Sequence, residues 1–169
     1  MATTYQLISS VTVGSGGAAS MAFTSIPATY TDLVVKISGR TNHSGYADGM
    51  DLTFNSNASS YTYKYFQGDG STVSTGTGSA KVFGRTNAST STASTFGNTE
   101  VYISNYASSN NKSFSIDSVV ENNATSGDDW LAGNLWSNSA AITSISITPQ
   151  VGTTFLEYST AYLYGISNA

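Results

Sequence analysis

Hydrophobic and polar residues alternate with a period of two along most of this chain. The run KSFSIDSVVE places Phe114 and Ile116 on one face and serine or aspartate on the other, which is typical of a strand with one buried face. Similar runs recur with Gly, Asn and Asp between them, and none has the period of an amphipathic helix. The pattern predicts about ten short strands in an all-β, two-sheet antiparallel sandwich, with a jelly-roll-like arrangement.

The apolar faces of these runs predict the core. In the first run, Tyr5, Leu7, Val11 and Val13 fall on one face by simple alternation. Trp130 and Trp136 are interpreted as facing opposite ways, so that one of them packs inward. The residues that we place in the core are Leu33, Val35, Ile37, Phe114, Ile116, Ile145 and Ile147.

Two low-complexity segments, Gly68–Ser79 and Asn87–Thr95, read as long mobile loops on a rigid sandwich. The stretch NYASSNNKSFSID reads as a hairpin whose tip, Ser108–Asn111, offers no nucleophile or base of useful pKa. If this tip only closes a turn, an Asn-Gly pair should replace it without loss of stability.

The composition supports a folded β domain. Only 9% of the residues are charged, whereas 12% are aromatic and roughly a third are Ser or Thr, which favours strands over helix and over disorder. At 169 residues, the chain is predicted to form one sandwich domain over positions 1–169.

The charge and hydropathy of the chain limit the classes of partner that we expect it to bind. The net charge is −4 and the 6 Lys and Arg residues are scattered, so nucleic-acid binding is not expected. No long apolar run indicates a membrane span, and the N-terminal residues lack the pattern of a signal peptide. The chain has 0 Cys, which permits but does not prove folding in a reducing cytosol.

The titratable residues form no convincing catalytic set. The single His43 lies near Ser44 and Asp48 in a turn-rich segment, where nearness in sequence does not supply the geometry of a hydrolytic triad. Asp48 with Asp51, Asp69, and Asp128 with Asp129 are better explained as turn residues, although a structural Ca²⁺ stays open. We therefore expect no enzymatic activity and no cofactor.

Two groups of tyrosines are better candidates for a functional role than the titratable residues are. Tyr61, Tyr63 and Tyr65 share one face of a strand, and Tyr158, Tyr162 and Tyr164 are assigned to another. Such faces fill a sandwich core, line a subunit interface or bind sugar rings, and the sequence leaves these three roles open.

Four segments carry a family resemblance: YQLISSVTVGSGGAASMAFTSIPATYTDLVVKISGR, SNNKSFSIDSVVENNAT, LWSNSAAITSISITP and YSTAYLYGI. Over nearly its whole length the chain resembles small virion structural proteins of tailed bacteriophages, especially phages of cyanobacteria and other aquatic bacteria. The resemblance implies a jelly-roll-like sandwich on the particle surface, either on the head as a cement (decoration) protein or on the tail as a fibre or adaptor.

From these observations we expect a capsid cement protein. It is expected to be a homotrimer that bridges capsomers of the major capsid protein, on a particle made in the host bacterial cytoplasm. A tail-fibre or receptor-binding module that holds host surface glycan is the first alternative, and a glycan hydrolase is the second. The expected contact residues are an N-terminal arm at 1–6 and two loop tips, namely Ala2, Thr3, Thr4, Tyr5, Gln6, Ser71, Asn110 and Asn111.

Overall fold

Alternation of apolar and polar residues produces strands throughout the computed structural model, which describes residues 4–121 and 127–167. The described residues form twelve strands and no helix. The strands are β1 (Tyr5–Thr12), β2 (Met21–Phe23), β3 (Asp32–Gly39), β4 (Ala47–Phe54), β5 (Tyr61–Gly68), β6 (Val73–Gly78), β7 (Val82–Asn87), β8 (Gly97–Ile103), β9 (Lys112–Glu121), β10 (Gly127–Trp136), β11 (Ile145–Pro149) and β12 (Thr160–Ile166). Within the described ranges, no helix is long and apolar enough to cross a membrane.

The strands form two antiparallel sheets. The large sheet has eight strands in the order β1-β12-β3-β8-β9-β10-β5-β6, and the small sheet has four in the order β2-β11-β4-β7. The prediction of an all-β, two-sheet antiparallel sandwich is confirmed, with twelve strands rather than about ten. The jelly-roll arrangement stays a prediction.

The core lies between the two sheets and contains the residues that alternation placed there. Val35 and Leu33 of the large sheet and Ile147 of the small sheet have no exposed surface, and Ile116 is 3% exposed. All seven predicted core residues are buried, so this prediction is confirmed. Trp136 is also fully buried, and it stacks on Tyr61 with 6.1 Å between ring centroids.

The first strand departs from simple alternation because it contains a β-bulge. The pairing of β1 with β12 shifts between Leu7 and Ser9, so the inner face changes from one set of residues to the other. Tyr5 and Leu7 are exposed, whereas Ile8 and Val11 pack against the core. The prediction that Tyr5 and Leu7 share a face with Val11 is therefore wrong.

Trp130 and Trp136 both face inward, which corrects the expectation that they point to opposite sides. They lie six positions apart on one regular strand, and side chains an even number of positions apart share a face. Trp130 is 6% exposed.

Neither low-complexity segment is simply a long mobile loop. Within Gly68–Ser79, Val73–Gly78 forms β6, which pairs with β5 without a break in register. Within Asn87–Thr95, the buried guanidinium of Arg40 bonds the carbonyl oxygens of Ser91 and Thr92 at 2.8 Å each. A buried guanidinium must have hydrogen-bond acceptors, and Arg40 finds them in the carbonyl groups of this loop. The loop is therefore fixed by a residue outside it, which its own sequence does not indicate.

Candidate functional site

The face of the large sheet that points away from the small sheet carries the candidate site. Strand register places Tyr102, Ser115, Gly133, Lys64 and Thr77 side by side across β8, β9, β10, β5 and β6. Adjacent strands lie about 4.8 Å apart, so the row from Tyr102 to Lys64 spans about 14 Å. Five residues that are distant in sequence become one continuous strip of surface.

This strip forms the centre of a groove of about 470 Å³, which we call the outer groove. Its floor is made of the small residues Ser113, Ser115 and Gly133 together with the half-buried Leu135, while Tyr102 and Lys64 are on opposite sides of it. A Cβ atom placed on Gly133 would meet no other atom within 4 Å, so the space above this glycine is open. The groove therefore combines a flat, rigid floor with hydroxyl groups, one aromatic ring and one cation.

Tyr102 is held in place by Asp32 of the neighbouring strand β3. Its hydroxyl donates to Oδ2 of Asp32 at 2.6 Å, and the other oxygen of that carboxylate accepts a hydrogen bond from the backbone N–H of Asn105 at 2.8 Å. The bond to Asp32 raises the pKa of Tyr102, because the carboxylate disfavours the phenolate. The ring is thus fixed in its neutral form beside the groove.

Lys64 differs from the other cations of the described residues. Lys36, Lys81 and Arg85 pair with carboxylates, and Arg40 and Lys112 bond backbone carbonyl oxygens. Within the part of the chain that the structure describes, the exposed ammonium of Lys64 has no such partner. The outer groove therefore has one uncompensated positive charge on a chain with a net charge of −4.

A second surface lies beside the groove on the same face and runs diagonally from β9 to the edge strand β6. We call it the edge patch, and it consists of Phe66, Val73, Val119 and Leu131, which are 63%, 77%, 40% and 53% exposed. Phe66 and Leu131 are direct cross-strand partners, and Val73 and Val119 are their diagonal neighbours. Sequence reasoning missed this patch, because only strand register brings its members together.

Strand β6 extends the edge patch to the border of the sheet. Its sequence, VSTGTG, contains no charged residue and no proline, and its pairing with β5 shows no bulge. Charges, prolines and bulges are the usual means by which a free edge avoids pairing with another chain. The outer side of β6 is therefore open to a partner, in contrast to the bulged edge strand β1.

The predicted contact residues fall at two opposite ends of the large sheet. Tyr5 and Gln6 belong to β1 rather than to a free arm, and Thr4 is exposed just before them. They lie at the end of the sheet where the exposed Asn110 and Asn111 precede β9. Ala2 and Thr3 lie outside the described residues.

Ser71 lies at the other end, in the turn between β5 and β6, where Asp69 accepts hydrogen bonds from the backbone N–H groups of Ser71 and Thr72. The ten residues of β9 separate the two ends by about 30 Å. The structure therefore brings the N-terminal residues and Asn110 to one end and does not bring Ser71 to them.

The hairpin tip is more than a turn. The fully buried Lys112 donates from Nζ to the carbonyl oxygens of Ser108 and Asn110, which ties the tip to the sheet. In the same loop Tyr106 is fully buried, and its hydroxyl donates to the carbonyl oxygen of Pro27. Both side chains were overlooked because the small polar residues around them dominate the sequence.

The triad suggested by His43, Ser44 and Asp48 is not assembled. The buried carboxylate of Asp48 accepts hydrogen bonds from the Thr41 hydroxyl at 2.9 Å and from the backbone N–H groups of Val151 and Gly152. These bonds secure the loop before β12, which is a structural role.

Asp128 is the second buried carboxylate, and it has a partner in Arg85 at 2.7 Å. Burial raises the pKa of Asp128, while the charge of Arg85 acts in the opposite direction. Asp69 and Asp129 lie nearby, at the end of the sheet that carries Ser71. Among the described residues, no group of three or more acidic, His or Cys side chains is placed to hold a metal ion.

The tyrosines divide between core and surface. Tyr61 is buried, and Tyr63 and Tyr65 are half-buried on the inner face. Tyr162 is exposed on the outer face, and Tyr158 lies before β12 and is 68% exposed, so it does not share that strand.

Comparison of the chain with protein-family models, with curated proteins and with solved structures finds no match.

Proposed function

We propose that this chain is a structural protein of a tailed-phage particle and acts as a capsid cement protein. In this proposal it is a homotrimer on the head surface, where it bridges neighbouring capsomers of the major capsid protein. The resemblance of four segments to virion structural proteins supports the class. The jelly-roll arrangement is supported by the strand order, in which β2, β3, β4 and β5 alternate between the two sheets.

The observation that carries the proposal is the edge patch together with the open edge of β6. Monomeric soluble proteins rarely expose a contiguous set of large apolar side chains, and such sets usually mark a surface that binds another protein. Here the apolar side chains adjoin a strand whose free backbone groups have no protection against pairing. We assign this surface, with Ser71 at its end, to contacts between copies of the chain.

The opposite end of the sheet is assigned to the shell. Thr4, Tyr5, Gln6, Asn110 and Asn111 lie there and are exposed. Small polar side chains permit close approach to a neighbouring backbone and lose little side-chain entropy when they are ordered. The 30 Å between the ends, estimated from strand length, keeps the two kinds of contact apart.

Stabilisation of the shell follows from mass action. A protein that binds only the expanded, assembled shell lowers the free energy of that state relative to its dissociated capsomers. Three linked copies add avidity, since each contact after the first is effectively intramolecular. We assign no catalytic step to this chain, because the buried carboxylates Asp48 and Asp128 are both engaged in structural contacts.

The oligomeric state and the binding of shells test the proposal. The purified protein should sediment as a trimer, bind expanded capsids that lack it and raise their disruption temperature. Phe66→Asp with Leu131→Lys should give a folded monomer, because both side chains are exposed, the new charges are opposite in sign across the strand pair, and both oppose burial between copies. Val151→Asp is the matched control, since Val151 is 62% exposed but lies outside the edge patch.

Two results would contradict the proposal. The cement proposal is contradicted if the wild-type protein is a monomer that does not bind shells. Localisation of a few copies to the tail, rather than hundreds on the head, would replace the cement role by the tail-fibre alternative.

A further inference from the structure

We infer that the outer groove is a binding site for an acidic oligosaccharide, one that carries carboxylate or sulfate groups. The groove lies on the opposite side of the large sheet from the core, and its lining residues are distinct from the four residues of the edge patch. The inference therefore does not rest on the cement role, and it holds whether the chain is on the head or on the tail.

The shape of the groove suits a short sugar chain. Sugar rings need a flat platform, hydroxyl partners and room above the backbone, and all three are present. Tyr102 offers a ring that Asp32 holds in a fixed position, and Gly133 leaves the space above its backbone open. Ser113 and Ser115 offer exposed hydroxyl groups on the floor of the groove, between Tyr102 and Gly133. Because the floor is a hydrogen-bonded sheet, little ordering is required on binding.

The charge of the groove selects an anionic ligand. Among the Lys and Arg residues of the described ranges, Lys64 is the one whose side chain makes no hydrogen bond or ion pair, and it borders the groove opposite Tyr102. The ammonium group is a flexible point charge rather than a planar fork, so its geometry does not restrict the ligand to either a carboxylate or a sulfate. A ligand about 14 Å long reaches from the Tyr102 ring to this charge.

A saccharide fits this groove better than an acidic peptide does. Extended peptides gain most of their affinity by adding a strand to a free sheet edge. The floor of the groove is formed by β8, β9, β10 and β5, each of which is paired on both sides. Their backbone groups are therefore not available to a peptide, whereas the hydroxyls and the aromatic ring remain available to a sugar.

The experiment is a calorimetric titration of the whole protein with four probes: oligogalacturonate, a sulfated oligosaccharide, a neutral maltooligosaccharide and oligoglutamate. We expect one or both anionic saccharides to bind with a dissociation constant below about 1 mM, and neither the neutral sugar nor the peptide to do so. Binding should weaken with added salt, because Lys64 is exposed.

Two variants locate the site. Lys64→Gln should weaken binding of the anionic saccharide about tenfold or more, as loss of a charge-assisted hydrogen bond does. Gly133→Val should abolish binding because its side chain fills the open space, and it should not disturb the fold because nothing lies within 4 Å of the new Cβ. Gly68→Val is the control, since Gly68 is also a strand glycine with open space but lies outside the groove.

Lys36→Gln is the control for charge, because Lys36 is exposed on the same face and paired with Glu100. The inference is overturned if no saccharide binds at about 10 mM, or if Gly133→Val binds as tightly as Gly68→Val. If the neutral sugar binds equally well, the ligand need not be acidic and the inference is wrong. If oligoglutamate binds equally well, the groove is a site for an acidic peptide and not for a saccharide. Binding that survives Lys64→Gln unchanged would also overturn it.

Discussion

The ring of Tyr65 stacks on the indole of Trp130, with 4.0 Å between ring centroids and 9° between ring planes. Strand β6 places Gly76 directly under the Tyr65 ring, where a Cβ would come within 2.6 Å of a ring carbon. Gly78 has the same relation to Tyr63. Aromatic side chains that cover glycines of a neighbouring strand are a known way to stabilise an edge pairing.

Gly76→Val should displace Tyr65 from Trp130 and destabilise the protein. The new side chain overpacks a site where the ring cannot move without breaking its stack, so we expect a cost of about 1–3 kcal/mol. Urea unfolding measures the cost, and near-ultraviolet circular dichroism should report the altered tryptophan environment. Thr77→Val, at the next position on the outer face, is the control and should change neither signal.

Arg40→Met should release the segment between β7 and β8. Its guanidinium bonds the carbonyl oxygens of Ser89, Ser91, Thr92 and Thr95 at 2.8–3.2 Å, and an apolar side chain leaves these acceptors without their donor. We expect a loss of about 3 kcal/mol, with faster amide exchange and proteolysis within residues 88–96.

Lys36→Met is the matched control for Arg40→Met. Its ion pair with Glu100 is about half exposed, and such pairs contribute about 0–1 kcal/mol. If the two variants lose equal stability and the exchange of residues 88–96 is unchanged, Arg40 does not hold this segment.

Shortening the β8–β9 loop should destabilise the domain, which reverses the expectation drawn from the sequence. Replacement of Ser108–Asn111 by Asn-Gly removes two carbonyl groups that accept hydrogen bonds from the buried Lys112. An ammonium group left buried without acceptors costs several kcal/mol. The added change Lys112→Met should recover part of the stability in thermal unfolding, and a shortened loop with unchanged melting temperature would contradict this role of Lys112.

The stability of the protein should fall at alkaline pH in a way that depends on Tyr61. Burial raises its pKa to about 12, while the pKa of an unfolded tyrosine is about 10. The folded state therefore retains the proton that the unfolded state loses. The contribution of Tyr61 protonation to the free energy of unfolding is complete below pH 10. It is lost as the pH rises from about 10 to about 12, with a total loss of about 3 kcal/mol.

Urea unfolding at a series of pH values, with Tyr61→Phe as the variant, measures this term. The variant should lose about 1–2 kcal/mol at pH 7, because the backbone N–H of Phe54 donates to the Tyr61 hydroxyl at 2.8 Å and loses this acceptor. Above pH 10 its stability should decline less steeply than that of the wild type. Parallel declines in the two proteins would rule out Tyr61 as the group responsible.

Ile116→Asp should prevent folding, because Ile116 is 3% exposed in the core and an unpaired charge there costs several kcal/mol. Ser115→Asp places the same charge one position away on the exposed face and should fold. Far-ultraviolet circular dichroism of both proteins checks the assignment, and a native spectrum for Ile116→Asp would contradict it.

Alternation along each strand was sufficient to determine the fold class and much of the core. Ile116 and Val35 could be assigned from the sequence because successive side chains of a strand point to opposite faces, which is a property of a few adjacent residues. Where a strand contains an irregularity, the same rule fails: the bulge at Leu7–Ser9 places Tyr5 and Leu7 outside the core. The sequence shows no mark of that extra residue.

Only the tertiary structure decided the surfaces. Tyr102 and Lys64 border one groove, and Phe66 and Leu131 lie opposite each other in one patch, because of the register between strands that lie far apart in the chain. Aromatic rings of β5 cover the glycines of β6, and a distant arginine bonds four carbonyl oxygens within residues 88–96. Local patterns report which face of a strand is apolar, whereas register and long-range hydrogen bonds result from the packing of the whole chain.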